Sequence, residues 1–489
     1  MYFVVDTISF GDLTGTGFQG VSDPCRAFQR DELVNSVISS LKKNRFVVVQ
    51  SPPACGKSTL LQLIWNRCKG FIVKYIRMER NKNPYDMLKH FGIDLITNQY
   101  SQELLRSDVI ILIDDAQTAF NDELNNTFWP NLMKEFTLPH NIRFIITSTY
   151  LIGGKESPVE FSSQARIKPE DMLLTPSQSF EFLVNYLRFP FSHYPSLVEL
   201  IIEDCGGNIG ALAIIHDRYK AKFVFDETVT EQFLKDYFIS PTLTEAMDRL
   251  FGSATVLSLQ EPVMIDLLYG EVLATHTAFI ENNIELKRYI KCGLLSRKDD
   301  GETKFLSAMS RRYFIHKTYP QTATTNPSSA IELVINSIRK ISSNTLINSI
   351  VSGFPKEAIF QHLMMTAMTN NLTALTCVYP ENSRIIGSNN KIKGELDFFI
   401  NGELRWGVEL LIQGRKLKEH RERFLGNGKY VDLGCLQHVV VDFRGNINGF
   451  PQKLVEKDNI VTVYFKMDDY RSATCLLPDG MILNVDLSR

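Results

Sequence analysis

The 489-residue sequence has no two cysteines in C-x-x-C spacing. Its eight cysteines are scattered from Cys25 to Cys475. Neither a zinc ribbon nor a redox pair is expected, and reduced thiols in a nuclear or cytosolic compartment fit this pattern. The chain also has no excess of one charge: 53 Lys and Arg stand against 55 Asp and Glu. No global positive field draws it to nucleic acid or membrane, so a nucleic-acid site would have to be a local basic patch. Long apolar runs are missing as well. The run Val109 to Ile113 is far short of a membrane span, and no membrane partner is expected. The segment Met1-Tyr-Phe-Val-Val-Asp6 lacks the basic stretch and apolar run of a signal peptide. No repeat and no low-complexity tract appears. At 44% hydrophobic and 22% charged residues the composition is that of folded domains rather than a disordered chain. The length suits about three domains at roughly 150 residues each.

What is present begins at residue 46. Phe46-Val-Val-Val-Gln50, Val109-Ile-Ile-Leu-Ile113 and Ile142-Arg-Phe-Ile-Ile-Thr147 are short, unbroken and β-branched. Such strands are buried on both faces, as in a parallel sheet covered by helices. The helical pattern Thr59-Leu-Leu-Gln-Leu-Ile-Trp65 follows the first of them, which predicts an α/β domain of βαβ type.

Between that strand and helix lies Ser51-Pro52-Pro53-Ala54-Cys55-Gly56-Lys57-Ser58-Thr59. It matches the phosphate-loop pattern G-x-x-x-x-G-K-[ST] except that Ser51 replaces the first glycine. The chemistry needs this arrangement: loop and helix-N-terminal N–H groups surround phosphates. Gly56 permits close approach, Lys57 reaches the β- and γ-phosphates, and the Ser58 hydroxyl ligates Mg²⁺. The strand ending in Asp114-Asp115 then reads as a Walker B strand. Asp114 would hold Mg²⁺, and Asp115 would take the place of a water-polarising Glu. The alternative is a strand end that caps the next helix. Gln117 could instead orient the water. Thr147-Ser148-Thr149 reads as a γ-phosphate sensor or as a plain strand-end turn. The base is read as adenine, because Asn81-Lys82-Asn83-Pro84 lacks the Asp of a guanine-reading motif. ATP and Mg²⁺ are therefore the expected cofactors.

Phe28-Gln-Arg30-Asp-Glu32-Leu33 resembles the segment before the P-loop in STAND and AAA+-like ATPases, where it lies against the adenine. Gly206-Gly207-Asn208 resembles their lid turn above the nucleotide. Further on, Ile284 to Leu295, a turn at Lys298-Asp-Asp-Gly301 and Lys304-Phe-Leu306 suggest a winged helix or a helical spacer. The polar stretch Tyr319 to Ser329 reads as a linker.

A second chemistry lies near the carboxyl terminus. Asp397 starts one strand, Asn401-Gly402 turns the chain, and Glu409 lies on the next strand. Two carboxylates on adjacent strands can share Mg²⁺ and serve phosphodiester hydrolysis. Glu395 would share a face with Asp397, and the helical Glu357 could add a carboxylate. This pattern resembles the PD-(D/E)xK restriction-endonuclease superfamily. Leu411 stands where that family carries its lysine. Gln413 is next on the face, and Lys416 or Lys429 could substitute. The helix with His420, Arg421 and Arg423 is either a phosphate-binding face or, given Glu419 and Glu422, a salt-bridged one.

Taken together, the P-loop, the Asp-Asp strand, Glu-Leu-Asp397-Phe and Trp-Gly-Val-Glu409 resemble the Crinkler-RHS type effectors and toxins. Gly-Lys429-Tyr and Val-Val-Asp442-Phe-Arg444 share in the resemblance. It implies a P-loop NTPase (AAA+/STAND-like) over residues 1–165, a helical lid over 166–238, a winged-helix-like middle over 239–325 and a restriction-endonuclease-like α/β domain over 326–489. It also implies ATP-controlled cutting of DNA by Asp397 and Glu409 with Gln413 and Lys416, action in the nucleus of a target cell after secretion, or in the cytoplasm, and assembly with itself or related chains. The alternative is an ATP switch whose degenerate nuclease domain binds DNA or a partner without cutting.

Overall fold

The computed structural model describes residues 27–79, 82–119, 123–133, 138–149, 166–223, 228–251, 273–274, 283–297, 302–319, 323–350, 353–373, 376, 378–382, 396–401, 403–426, 428–445 and 459–488. Glu395, Gly402 and the 298–301 turn lie outside them. The chain divides into two compact units. The first is Met1–Phe189 with Cys205–His216 and His276–Ser296, and the second is Pro190–Asp204, Asp217–Thr275 and Arg297–Arg489.

In the first unit the three apolar runs are β1 (Phe46–Gln50), β3 (Val109–Asp114) and β4 (Ile142–Ser148), every residue buried except Arg143. With β2 (Ile72–Arg77) and β5 (Arg166–Ile167) they form a parallel sheet in the order β2-β3-β4-β1-β5. Helix α1 (Asp31–Lys43) and helix α2 (Lys57–Arg67) bury Val37, Leu41, Leu60 and Ile64 in one core with Val47, Val49, Ile110 and Leu112. The opposite core gathers Phe128 and Trp129 of α3 (Glu123–Met133) around Val48, Ile111 and Phe144. Apolar residues on both faces are what a sheet sandwiched between helices requires. The domain boundary expected at residue 165 would sever β5, which pairs with β1. Nor is the segment 166–238 a unit by itself, because its residues are shared between the two units.

Helix α4 (Ile209–Phe223) begins in the first unit and ends in the second. The predicted middle region contains α5 (Ile284–Lys291) and the strands β6 (Leu273–Ala274), β7 (Leu295–Arg297) and β8 (Glu302–Phe305), with β6 antiparallel to β8.

The second unit carries a seven-stranded sheet whose spatial order is its chain order. Its strands are β9 (Val378–Asn382), β10 (Leu396–Ile400), β11 (Trp406–Ile412), β12 (Gln437–Gly445), β13 (Ile460–Phe465), β14 (Ser472–Leu476) and β15 (Ile482–Asp486). Pairs β11/β12 and β12/β13 are parallel and the others antiparallel. A parallel pair needs a crossover, and α8 (Leu417–Glu422) lies in the one between β11 and β12. Helices α6 (Ala330–Arg339) and α7 (Glu357–Asn370) pack on each other and on β11, and α6 also on β12. Phe360 of α7 stacks on Phe443 of β12 with ring centroids 4.3 Å apart, which fixes α7 over the middle of the sheet.

Candidate functional site

The phosphate loop runs from the end of β1 to the start of α2. Gly56 caps α2 with φ of +85°, a left-handed conformation that costs a side-chain-bearing residue energy but not glycine. Lys57 is buried and its ammonium donates to the loop carbonyls of Ser51, at 2.7 Å, and Pro52, at 2.8 Å. Burial lowers its pKa, while Cys55, Asp114 and Asp115 pull the other way. The Ser58 hydroxyl donates to Asp114 Oδ2 at 2.7 Å. With β4 between β1 and β3, Thr147 reaches Asp114 Oδ1, and the Tyr75 hydroxyl donates to Oδ2 at 3.0 Å. Two hard oxygen donors, from Ser58 and Asp114, lie side by side next to the loop. That is the donor type Mg²⁺ takes with phosphates, so the residues fit that ion. Sheet order, loop and Walker B strand together define a P-loop NTPase fold.

Asp115 departs from the expected role. It has φ of +54°, forms an ion pair with Arg77 Nε at 3.0 Å and accepts from Gln117 Nε2 at 3.1 Å. Gln117 Oε1 in turn accepts from the Thr149 amide at 3.0 Å. The Arg77–Asp115 pairing joins the ends of β2 and β3. Of the strand-end triad, Thr147 turns to Asp114 while Thr149 lines the nucleotide cavity.

That cavity, about 570 Å³, is lined on one side by Ala54, Cys55, Gly56, Lys57, Ser58 and Thr59. Phe28 also lines it, with Phe182 and Tyr186. These two rings, on a π-helical turn at Glu181–Tyr186, offered no motif in the sequence. Arg30 donates to the carbonyl of Met172 at 2.9 Å, which seats residues 28–30 against the 171–173 segment. The Gly206-Gly207-Asn208 turn is close by. Gly207 has φ of +79°, and a Cβ there would sit 2.2 Å from the Leu174 carbonyl. Asn208 caps the start of α4 by accepting from the Ala211 amide at 3.0 Å, and the Gly210 amide donates to Ala54 of the P-loop at 3.0 Å.

The second site is on β10, β11, α7 and α8. Phe398 lies opposite Val408, so the antiparallel register sets Asp397 opposite Glu409. Facing carboxylates repel, and each has found other partners. Asp397 Oδ2 accepts from the Leu410 amide at 2.6 Å, and Oδ1 from Gln361 Nε2 at 2.8 Å. Burial, and then Glu409 and Glu357, hold its pKa well above the usual carboxylate range. Burial also raises Glu357. Glu409 Oε1 meets Arg423 Nη1 at 2.5 Å, His420 Nδ1 at 2.7 Å and the Tyr430 hydroxyl at 3.2 Å.

Both carboxylates of the expected metal clamp are thus engaged by protein partners. Among the described residues no three of His, Cys, Asp and Glu gather as a metal-binding set. Of the expected helpers, Lys429 is within electrostatic reach of Glu409: burial lowers the lysine's pKa, and Glu409 raises it against burial. Gln413 lies in a turn with φ of +58°. Lys416 is 72% exposed, its nearest acidic partner being Glu419 at 3.7 Å, so it adds no cation to Asp397 and Glu409. Lys429 sits over the Tyr430 ring at 5.2 Å. On α8 the Glu419–Arg423 and Lys418–Glu422 pairs make a salt-bridged outer face, while His420 and Arg423 turn inward to Glu409. Alternating charge in the sequence could not separate these two orientations.

No family model and no curated protein matches the chain. It is similar to a Walker-type ATPase of Pyrococcus abyssi at 14% identity and a TM-score of 0.36, over 59% of this chain and 96% of that one. It is also similar to a Thermotoga maritima RuvB variant at 12% identity and a TM-score of 0.31, over 56% and 91%. A third similar structure is the replication initiator DnaA bound to AMPPCP and single-stranded DNA, at 16% identity and a TM-score of 0.30, over 56% and 86%.

Proposed function

We propose that the chain is an ATP switch: it binds ATP with Mg²⁺ at the P-loop, and its restriction-endonuclease-like C-terminal domain engages DNA or a partner without cutting. The observation that carries this reading is a contrast. The phosphate loop has its Mg²⁺-binding oxygens in place, Ser58 on Asp114 at 2.7 Å. The distal carboxylate Glu409 is neutralised by Arg423 at 2.5 Å. Lys57 would exchange the carbonyls of Ser51 and Pro52 for β- and γ-phosphate oxygens, and Ser58 and Asp114 would hold a Mg²⁺ that supplies charge neutralisation. Asp115 is held by Arg77, so turnover is slow and the nucleotide state is long-lived. Like DnaA in its bound form, the protein would pair a nucleotide with a DNA or protein partner, in self-assembly or with related chains. Nuclear action as an effector or toxin belongs to the same proposal, and imaging of the tagged chain tests it.

Metal-dependent cutting is the second reading, favoured by one observation. Helix α7 with Glu357, strand β10 with Asp397 and strand β11 with Glu409 follow in the order the superfamily resemblance implies. The deciding experiment incubates plasmid DNA with the full chain and Mg²⁺ or Mn²⁺, with and without ATP, beside Asp397→Ala and Glu409→Ala. The expected result is DNA binding with no nicking. Nicking by the wild type that both substitutions abolish would replace the first reading with the second.

A further inference from the structure

The cavity beside the P-loop has two chemistries in its wall, and the apolar one bears on which nucleotides enter. Leu63 lies five residues past Ser58 on α2, about 7.5 Å further along the helix axis, so the apolar lining begins beyond the phosphates. It continues with Phe28, Phe182, Tyr186 and Leu187. The three rings form one cluster. Phe182 and Tyr186 stack at 5.3 Å with planes 19° apart, and Phe28 meets them edge-on at 5.2 and 5.6 Å.

Telling adenine from guanine requires polar groups at the edge where one base donates and the other accepts. Sites built that way reject the wrong partner strongly, because a buried polar group is left unpaired. Among the described lining residues the one acidic side chain is Asp115, beside the P-loop and paired with Arg77, and no Asn or Gln side chain takes part. Arg30 also lines the cavity; its two terminal nitrogens donate to the carbonyls of Met172 at 2.9 Å, Asp171 at 3.4 Å and Leu173 at 3.5 Å, which turns them away from a base, while its buried Nε has no protein partner. Stacking on aromatic rings, by contrast, holds any base, because every base has a π-face.

We infer that the nucleobase is held by stacking on the aromatic cluster of Phe28, Phe182 and Tyr186 rather than read at its edges, so the site accepts ATP and GTP almost equally. The inference rests on the nucleotide-binding reading above and adds its base selectivity.

The test is a competition assay on the full chain with Mg²⁺, in which ATP, GTP and inorganic tripolyphosphate each displace a fluorescent ATP analogue. ATP and GTP are expected to have Kd values within about tenfold of each other, and tripolyphosphate to bind at least roughly tenfold more weakly than either. Tyr186→Ala should weaken ATP and GTP alike, by roughly tenfold, and leave tripolyphosphate unchanged. Tyr186→Phe should bind both purines as the wild type does. A preference of about a hundredfold for one purine would overturn the inference, as would a Tyr186→Ala protein with unaltered Kd values. Tripolyphosphate binding as tightly as ATP would also overturn it, while leaving the phosphate-loop reading intact. If none of the three compounds displaces the analogue, the nucleotide reading falls and this inference with it.

Discussion

At the P-loop, acidic Asp114 faces a hydroxyl, Ser58, and an ammonium, Lys57, that come from a single stretch of chain. At the C-terminal sheet, acidic Glu409 faces an arginine, a histidine and a tyrosine contributed by residues 11 to 21 positions further on. The first site is made largely of backbone: a strand, a left-handed glycine and a helix N-terminus aim N–H groups at one point. The second is made of side chains whose directions depend on how a crossover folds back over the sheet. A backbone-built site keeps its chemistry when the flanking elements form. A side-chain-built site changes character when one cation rotates inward.

The largest expected effect breaks the second site. Arg423→Ala leaves the buried Glu409 carboxylate with His420, Tyr430 and the Asp397 amide, and should lower unfolding stability by about 3 kcal/mol in denaturant titrations. No measurable loss would mean that Glu409 does not depend on Arg423, and the site would regain its candidacy for metal. The next effect falls on the first site. Lys57→Ala removes a charge-assisted hydrogen bond to phosphate worth ~2–3 kcal/mol, so calorimetry should show ATP affinity falling about a hundredfold. Unchanged affinity would refute the role given to the loop.

A pH experiment separates the two sites further. The folded-state pKa of Asp397 is raised, so the native protein binds a proton there that the unfolded chain has already released. That contribution to stability is present at low pH and is lost as pH rises from the ordinary Asp value, about 3.9, through the folded value. Asp397→Asn should therefore gain on the wild type between pH 4 and neutrality, by on the order of 1 kcal/mol. Parallel stability profiles for the two proteins would show that Asp397 is not under this strain. The smallest effect expected is that of Gly56→Ala. A Cβ at this position meets nothing nearer than Ile209 Cγ2 at 3.6 Å. The loss, roughly 1 kcal/mol, should come from the left-handed backbone alone.

The same division explains what could be read in advance. The strands β1, β3 and β4, the loop, and the meeting of Ser58 with Asp114 were legible because each is a local pattern with one structural solution. The pairing of Asp397 with Glu409 followed from strand alternation and a short connection. Arg77 on Asp115 was not legible, because β2 and β3 are neighbours only in the folded sheet and a lone Arg at a strand end has many uses. Phe182 and Tyr186 were hidden for a similar reason: aromatic residues four apart on a helix usually mark core. Neither the two-residue strand just past residue 165 nor the division of residues 166–238 between the two units has a compositional signal.

The π-helical turn at Glu181–Tyr186 makes the aromatic wall depend on segment length as well as on residue type. A π turn holds one residue more than an α-helical turn in the same span, and such turns occur frequently at functional sites. Deleting a single residue from it would let the segment relax to a regular α-helix. The residues after it would keep their facing, because the α-helical turn fills the same span with one residue fewer. A substitution that closed the π turn with all its residues kept would instead turn Tyr186 off the cavity wall by one α-helical step, about 100°. Such a change would weaken ATP and GTP alike without altering a single residue of the phosphate loop.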